Sequence, residues 1–355
     1  MSDLSQSVAI FAPVCPTPNN TSDVIRLGHG SGGKMSSDLL NNVFLPALNN
    51  RVLDQLDDAA VMAINDTRLA FTIDSYVVSP IFFPGGDIGS LSVYGTVNDL
   101  SMRGAIPAYI SASFIMEEGF PIADLQKIVE SMKKACFETN IQFAAGDTKV
   151  VNRGAADKIF ITTCGLGILQ YNPAPTANRA VPGDIVIVSG DIGLHGTAIM
   201  CARESFELET TIQSDSAPLN ELVQEMLKTC PAIRCLRDIT RGGLATVLNE
   251  LASASKVGIE ISESAIPIDA QVASICALLG LDPLYVACEG RLVAIVPDSD
   301  VEGLLNIMHQ HRLGKNAQII GKVSQQYPER VFMKSRIGGQ RILDKLAGEQ
   351  LPRIC

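Results

Sequence analysis

The sequence predicts an α+β protein of two domains. Helix-type and strand-type apolar periodicities are interleaved, and one Pro- and Asn-rich stretch divides the patterned region into halves of similar size. The length of 355 residues also exceeds what one domain of ~150 residues needs. Residues 1–24 are rich in Ser, Asn and Pro and are expected to form a mobile N-terminal segment. Leu39, Leu40, Val43, Phe44 and Leu48 then recur at helical spacing. Residues 60–64 and 69–73 read as strands joined across Asn65-Asp66, a hairpin. Residues 88–102 read as a buried helix entered through Gly85-Gly86. A strand over 106–115, a helix over 122–137 and strands near 141–145 and 159–169 complete a first domain at 25–172.

Residues 173–182 read as the linker, because prolines and asparagines crowd there. The second domain, 183–333, opens with a strand over 184–189. Helical patterns follow near 195–204, 219–228, 242–254 and 270–279, with strands near 258–261, 292–296 and 318–323. From Lys334 the pattern weakens, and 334–355 is expected to be a flexible, detachable tail ending in Cys355.

Composition narrows the function. Apolar residues make up 46% and charged residues 19%, which excludes general disorder. A net charge of −10 without a Lys/Arg stripe argues against nucleic acid. Two uncharged runs, 4–22 and 159–178, do not read as export or membrane segments. Pro13, Pro16 and Pro18 break the first, and Gln170, Asn172, Pro173 and Pro175 end the second, so a cytoplasmic location is expected. Nine cysteines without a Cys-x-x-Cys, beside four histidines, form neither a zinc ribbon nor a disulfide framework. Most read as small buried hydrophobes; Cys355 does not.

Two groups of residues suggest chemistry. Gly28-His29-Gly30-Ser31-Gly32-Gly33-Lys34-Met35 matches G-x-x-x-x-G-K, but Met35 has no oxygen for magnesium where a P-loop has Ser or Thr. It reads better as a glycine-rich loop whose N–H groups, at Gly30, Gly32 and Gly33, close over phosphate; a plain tight turn is the bland alternative. The second group is acidic: Asp57-Asp58, Thr72-Ile73-Asp74, Val97-Asn98-Asp99, Gly146-Asp147-Thr148-Lys149 and Arg237-Asp238-Ile239-Thr240-Arg241. Carboxylates at apolar strand ends are costly unless a shared cation compensates them, and oxygen-only donors suit magnesium. Spacing alone leaves metal–nucleotide binding and simple cap or turn acids both open.

Thr72-Ile73-Asp74-Ser75-Tyr76-Val77-Val78, Phe82-Phe83-Pro84-Gly85-Gly86-Asp87-Ile88-Gly89, Gly146 to Val151 and the terminal Pro352-Arg353-Ile354-Cys355 resemble the HypE family of [NiFe]-hydrogenase maturation proteins. The resemblance runs from Leu27 to Cys355. It implies the two-domain fold of aminoimidazole ribonucleotide synthetase (PurM-like), a homodimer, and ATP and Mg2+ as cofactors. It further implies that HypF carbamoylates the terminal cysteine, that the thiocarboxamide is dehydrated with ATP to thiocyanate, and that cyanide passes to iron on the HypC–HypD complex. Carried over by motif, Asp58, Asp74, Asn98, Asp99, Asp147, Asp238 and Thr240 would bind Mg–ATP. Asp58, Asp74, Asp147 and Asp238 would hold the metal. Lys149, Glu289 and Cys355 would be catalytic, Glu289 as base and Lys149 as the positive charge. Two positions depart from the family pattern: Cys288 stands where Asn is usual before Glu289-Gly290, and Leu194 where Asp is usual before His195-Gly196. A small-molecule kinase or synthetase of the same superfamily is the alternative, but it has no reason to end in an accessible cysteine. A non-catalytic scaffold would need none of the carboxylates.

Overall fold

The computed structural model describes residues 24–203, 210–346, 348 and 353–355. The expected mobile segment thus lies, except for Val24, outside the described residues. The helical run after the glycine-rich loop is α1 (Lys34–Leu39), a π turn (Leu40–Phe44) and α2 (Leu45–Leu48). The first sheet and its helices comprise β1 (Ala60–Ile64), β2 (Thr67–Tyr76), the short β3 (Phe82–Phe83) and β4 (Gly86–Asp87), α3 (Ile88–Met102), β5 (Ala105–Glu117), α4 (Ile122–Thr139), β6 (Gln142–Val151) and β7 (Ile159–Leu169). Strand order is β1-β2-β7-β5-β6, and only the β5–β6 pair is parallel.

Helix α3 is the core of this half. Asp87 caps it, accepting from the Gly89 and Ser90 N–H groups at 2.7 and 3.2 Å. The helix is apolar nearly all round because it lies between the sheet and α4. Two glycines permit that close approach: a Cβ at Gly95 would strike the Tyr76 ring, and one at Gly89 the Ile128 backbone.

The second half comprises β8 (Ile185–Val188), α5 (Leu194–Ala202), α6 (Asn220–Thr229), β9 (Cys235–Asp238), α7 (Gly243–Ser255), β10 (Gly258–Ser262), α8 (Ala270–Leu279), β11 (Leu292–Val296), α9 (Val301–Gln310), β12 (Gln318–Ser324), β13 (Val331–Lys334) and β14 (Gln340–Ile342). Its sheet runs β14-β13-β10-β12-β8-β11-β9, and β11 is buried along its whole length. Interleaved helices and two separate sheets are the α+β architecture the sequence predicts.

The proline-rich stretch 173–182 is anchored. Asp57, ion-paired with Arg103, accepts from Thr176 Oγ1 at 2.6 Å and Ala177 N at 2.8 Å, and Ala174, Ala177 and Ala180 are buried. The tail also starts later than expected. Residues 331–342 form a hairpin whose first strand pairs with β10, and Leu343 is only 1% exposed, a burial worth about 1.5–3 kcal/mol. A three-residue strand is too short for its periodicity to be read, so 334–343 resembled a tail in sequence. Strand β6 likewise extends past its expected end at 145 to Val151. It lies at the edge of the sheet and its residues are almost wholly exposed, so no apolar alternation marks it.

Candidate active site

Four of the expected carboxylates meet at the junction of the two sheets. One oxygen each from Asp58, Asp99 and Asp238 lies within 4.8 Å of the others. Asp58 precedes β1, Asp99 is on the buried face of α3, and Asp238 ends β9. Asp74 belongs to the same group: it lines the adjoining pocket with Asp99 and Asp238. Thr72, on the helix-facing side of β2, donates to Asp99 Oδ2 at 2.7 Å. Arg237 Nε sits 2.7 Å from Asp58 Oδ1 and its Nη2 the same distance from Glu250.

The electrostatics of this group favour a cation. Burial first, then mutual repulsion, pushes Asp58 and Asp99 well above the usual carboxylate range, and burial raises Asp74. Asp238 is pushed up to about 7, mainly by burial, with Arg237 opposing. Among the described residues, the buried Oδ2 atoms of Asp58 and Asp74 find no hydrogen-bond partner. Orphaned carboxylate oxygens in a cluster of oxygen-only donors fit a magnesium ion, with Asp58, Asp99, Asp238 and Asp74 as its holders.

A cavity of about 250 Å³ opens beside these acids, lined by Gly30, Gly32, Asp58, Asp238, Thr240 and Arg241 among others. A second, of about 350 Å³, runs from Leu27 and Gly30 past Val77 and Tyr285 to the last three residues. The glycine-rich loop bounds both. It follows a 3-10 turn (Leu27–Gly30) rather than a strand, and Lys34 is exposed and lines neither cavity, so the P-loop reading fails. Gly32 has φ +76, and a Cβ there would meet the Arg241 carbonyl at 2.8 Å.

Cys355 is drawn into a narrow pocket with Asp74, Asp99, Asp238, Thr240, Arg241 and Glu289. Burial, then Glu289, raises its thiol. Glu289 is 4% exposed, and burial, followed by repulsion from Asp238 and Asp215, pushes its carboxyl well up. The negative charge that Cys355, Asp74 and Glu289 can carry around Arg241, Cys355 most, outweighs its burial, so it holds its proton more firmly than usual. The two family departures meet here. The Cys288 sulfur accepts the Gly193 N–H at 3.1 Å, next to Leu194, which packs on the apolar cluster around Val272. The Glu289 backbone N–H donates to Asp215 Oδ1 at 3.1 Å, which fixes the peptide that carries the acid.

Three expected residues do not join the site within one chain. Asp147 and Lys149 lie on β6 and pair with Ser113 and Ile115 of β5. Ser113 is aligned with Thr162 of β7, which faces Ser75 of β2. Asp147 and Lys149 therefore share the sheet's outer face with Ser75, whereas Asp74 points to α3. The expectation that Asp147 shares a metal with Asp58, Asp74 and Asp238 is not met inside a single chain. Asn98 has a different task from nucleotide binding: fully buried, it donates to Ala217 O at 3.1 Å and accepts from Leu219 N at 2.8 Å, tying α3 to the second half. Sequence reasoning passed over Arg237, Arg241, Asp215 and His195. Arg237 and Arg241 flank Asp238 and Thr240, and His195 belongs to a family motif, so their neighbourhood in sequence is the available signal.

The chain matches the family profiles "AIR synthase related protein, N-terminal domain" over residues 56–169 and "AIR synthase related protein, C-terminal domain" over 181–334. It is 51% identical over 338 residues to the carbamoyl dehydratase HypE of Cupriavidus necator, covering 95% of this chain and 96% of that one. Among solved structures, a HypE–HypF complex superposes with a TM-score of 0.82 at 46% identity, covering 87% of this chain and 99% of that one. A hydrogenase maturation protein HypE in complex with ATP gives 0.79 at 44% identity, covering 94% of this chain and all of that one (100%).

Proposed function

The chain belongs to the HypE family of carbamoyl dehydratases, and from that membership we propose that it uses ATP to dehydrate an S-carbamoyl group on Cys355 to S-cyanate, supplying cyanide for hydrogenase iron. The observation that carries this reading is the placement of Cys355: it shares a narrow pocket with Glu289 and Arg241, one wall away from a carboxylate cluster and a glycine-rich cavity. A kinase or synthetase acting on a diffusible substrate has no use for that arrangement.

Hydroxide is a poor leaving group, so direct loss of water from a thiocarboxamide is slow. Attack of the amide oxygen on the γ-phosphorus of ATP releases ADP and leaves S–C(=NH)–O–phosphate after one N–H proton is lost. Loss of the second N–H proton expels phosphate and forms the nitrile. Glu289, made basic by burial, takes the first N–H proton, the departing phosphate takes the second, and Arg241 balances charge on the phosphoryl oxygens. A magnesium ion on the aspartates would neutralise the polyphosphate.

Lys149 enters from a second copy. The outer face of the first sheet exposes Ile64, Phe71, Ile73, Tyr109, Ile115 and Ile168, an apolar surface that no other described residues cover. A homodimer closed over it would bring Asp147 and Lys149 of one subunit toward the site of the other. HypF would load the thiol, and a HypC–HypD iron scaffold would receive the cyanide, in the cytoplasm. Among the described residues no helix is long and apolar enough to cross a membrane.

Intact-mass analysis tests the whole reading. After loading by the cognate carbamoyltransferase, Mg–ATP should remove the mass of one water from the wild-type adduct, and Cys355→Ala should never acquire it. An adduct that stays unchanged with ATP would overturn the dehydratase assignment.

A further inference from the structure

His195 opens α5 within the Gly193-Leu194-His195-Gly196 motif, and the chemistry above gives it no role. Its side chain is fully buried, yet both ring nitrogens are engaged. Nδ1 is 2.7 Å from Ser214 Oγ and Nε2 is 2.8 Å from the carbonyl oxygen of Ile354. The Ser216 N–H donates to Ser214 Oγ at 3.0 Å, which leaves that hydroxyl's proton for Nδ1. Burial holds the ring neutral, so Nε2 carries the remaining proton and donates it to the tail. Phe83 packs edge-on against the imidazole, with centroids 5.4 Å apart, and fixes its plane.

We propose that His195 is a positioning residue for the reaction: its Nε2–H holds the Ile354 carbonyl and so sets the Cys355 thiol against Glu289. The surroundings explain why this contact would matter more than the others. Arg353 is held by Ser79, Arg203 and Asp157, all only half-buried. Ile354 itself is 7% exposed and packs with the first half's core. Ser214 and Asp215 are consecutive, the first orienting the His195 ring and the second receiving the Glu289 N–H. One short segment thus aligns both the peptide that carries the acceptor and the peptide that carries Glu289. The inference rests on the dehydratase reading for its catalytic consequence, but the docking contact can be judged without it.

The rate at which iodoacetamide alkylates Cys355, followed by peptide mass, reads docking directly. His195→Ala should speed it about tenfold, the factor that one net buried hydrogen bond carries. His195→Gln, whose amide nitrogen replaces Nε2, should return to within about twofold of wild type. Loading by the transferase, which needs the tail outside, should be at least as fast in His195→Ala as in wild type, while conversion to thiocyanate falls about tenfold. Parallel losses in both steps would mean a folding defect and overturn the positioning role, as would an unchanged alkylation rate. A wild-type measurement guards against misfolded variants: in a ¹⁵N-histidine spectrum the His195 proton should sit on Nε2, and a proton on Nδ1 would sink the proposal. If wild type fails to dehydrate at all, the function falls, and the alkylation and tautomer results still decide whether His195 holds the tail.

Discussion

The backbone N–H of Lys34 donates to the carbonyl oxygen of Leu346 at 2.8 Å, so the glycine-rich loop and the C-terminal segment are joined by a direct main-chain hydrogen bond. Lys345 adds a 3.2 Å contact to Ser37 and reaches Glu250. The approach is close enough that a Cβ on Gly33 would overlap the Leu346 carbonyl.

Gly33→Ala therefore has to displace the segment that leads to Cys355. Its φ is ordinary, so the cost is steric rather than conformational. Thiocyanate formation should fall about tenfold with carbamoylation unchanged, followed by intact mass. Normal conversion would show that the loop and tail move independently.

Nucleotide binding should depend on the acids and not on a P-loop lysine. Asp58→Asn removes a charge from the cluster and should weaken Mg–ATP by at least about tenfold in calorimetry. Lys34→Ala, an exposed side chain outside both cavities, should stay within about twofold. The reverse order would restore the P-loop reading.

The raised Asp238 makes cation binding pH-dependent. A carboxyl at about 7 in the fold and near 3.8 in the unfolded chain keeps its proton longer when native. Its contribution to cation-free stability is thus fully present below about 4 and is lost as pH rises through about 7. Asp58, Asp74 and Asp99 shift the same way. A cation competes with those protons, so magnesium alone should raise the melting temperature more at pH 8 than at pH 6. Equal shifts at both values would remove the cluster as the metal site.

The outer face of the first sheet gives a dimer test. Ile73, 60% exposed on that face, becomes a buried charge in Ile73→Glu if a second copy covers it. Light scattering should then show a monomer. Mixing Lys149→Ala with Glu289→Gln subunits should recover about a quarter of the sites, because half of randomly mixed two-fold dimers are heterodimers and each has one intact site. No recovery would place Lys149 outside its neighbour's site.

Legibility followed the range of the interaction. The helix 88–102 was readable to the residue because its cap and its all-round apolar character are both local. The hairpin of β1 and β2 was readable for the same reason. Asp58, Asp74, Asp99 and Asp238 stood out because acids at the ends of apolar runs are locally anomalous. Arg237 and His195 did not, since their partners, Asp58 and Ile354, lie far along the chain. Asp147 carried the right motif, but which side of the sheet it occupies depends on strand register, and register is not written in any one strand.

The anchoring of Leu343 fixes the working radius of the reactive thiol. About 12 residues separate that anchor from the chain end, and a fully extended chain of that length spans about 40 Å at most. A group confined to such a volume has an effective concentration on the order of millimolar toward anything within reach, and essentially none toward anything beyond it. On the proposed function, a protein that loads or unloads Cys355 would have to bring its own reactive centre within that distance of the β13–β14 hairpin.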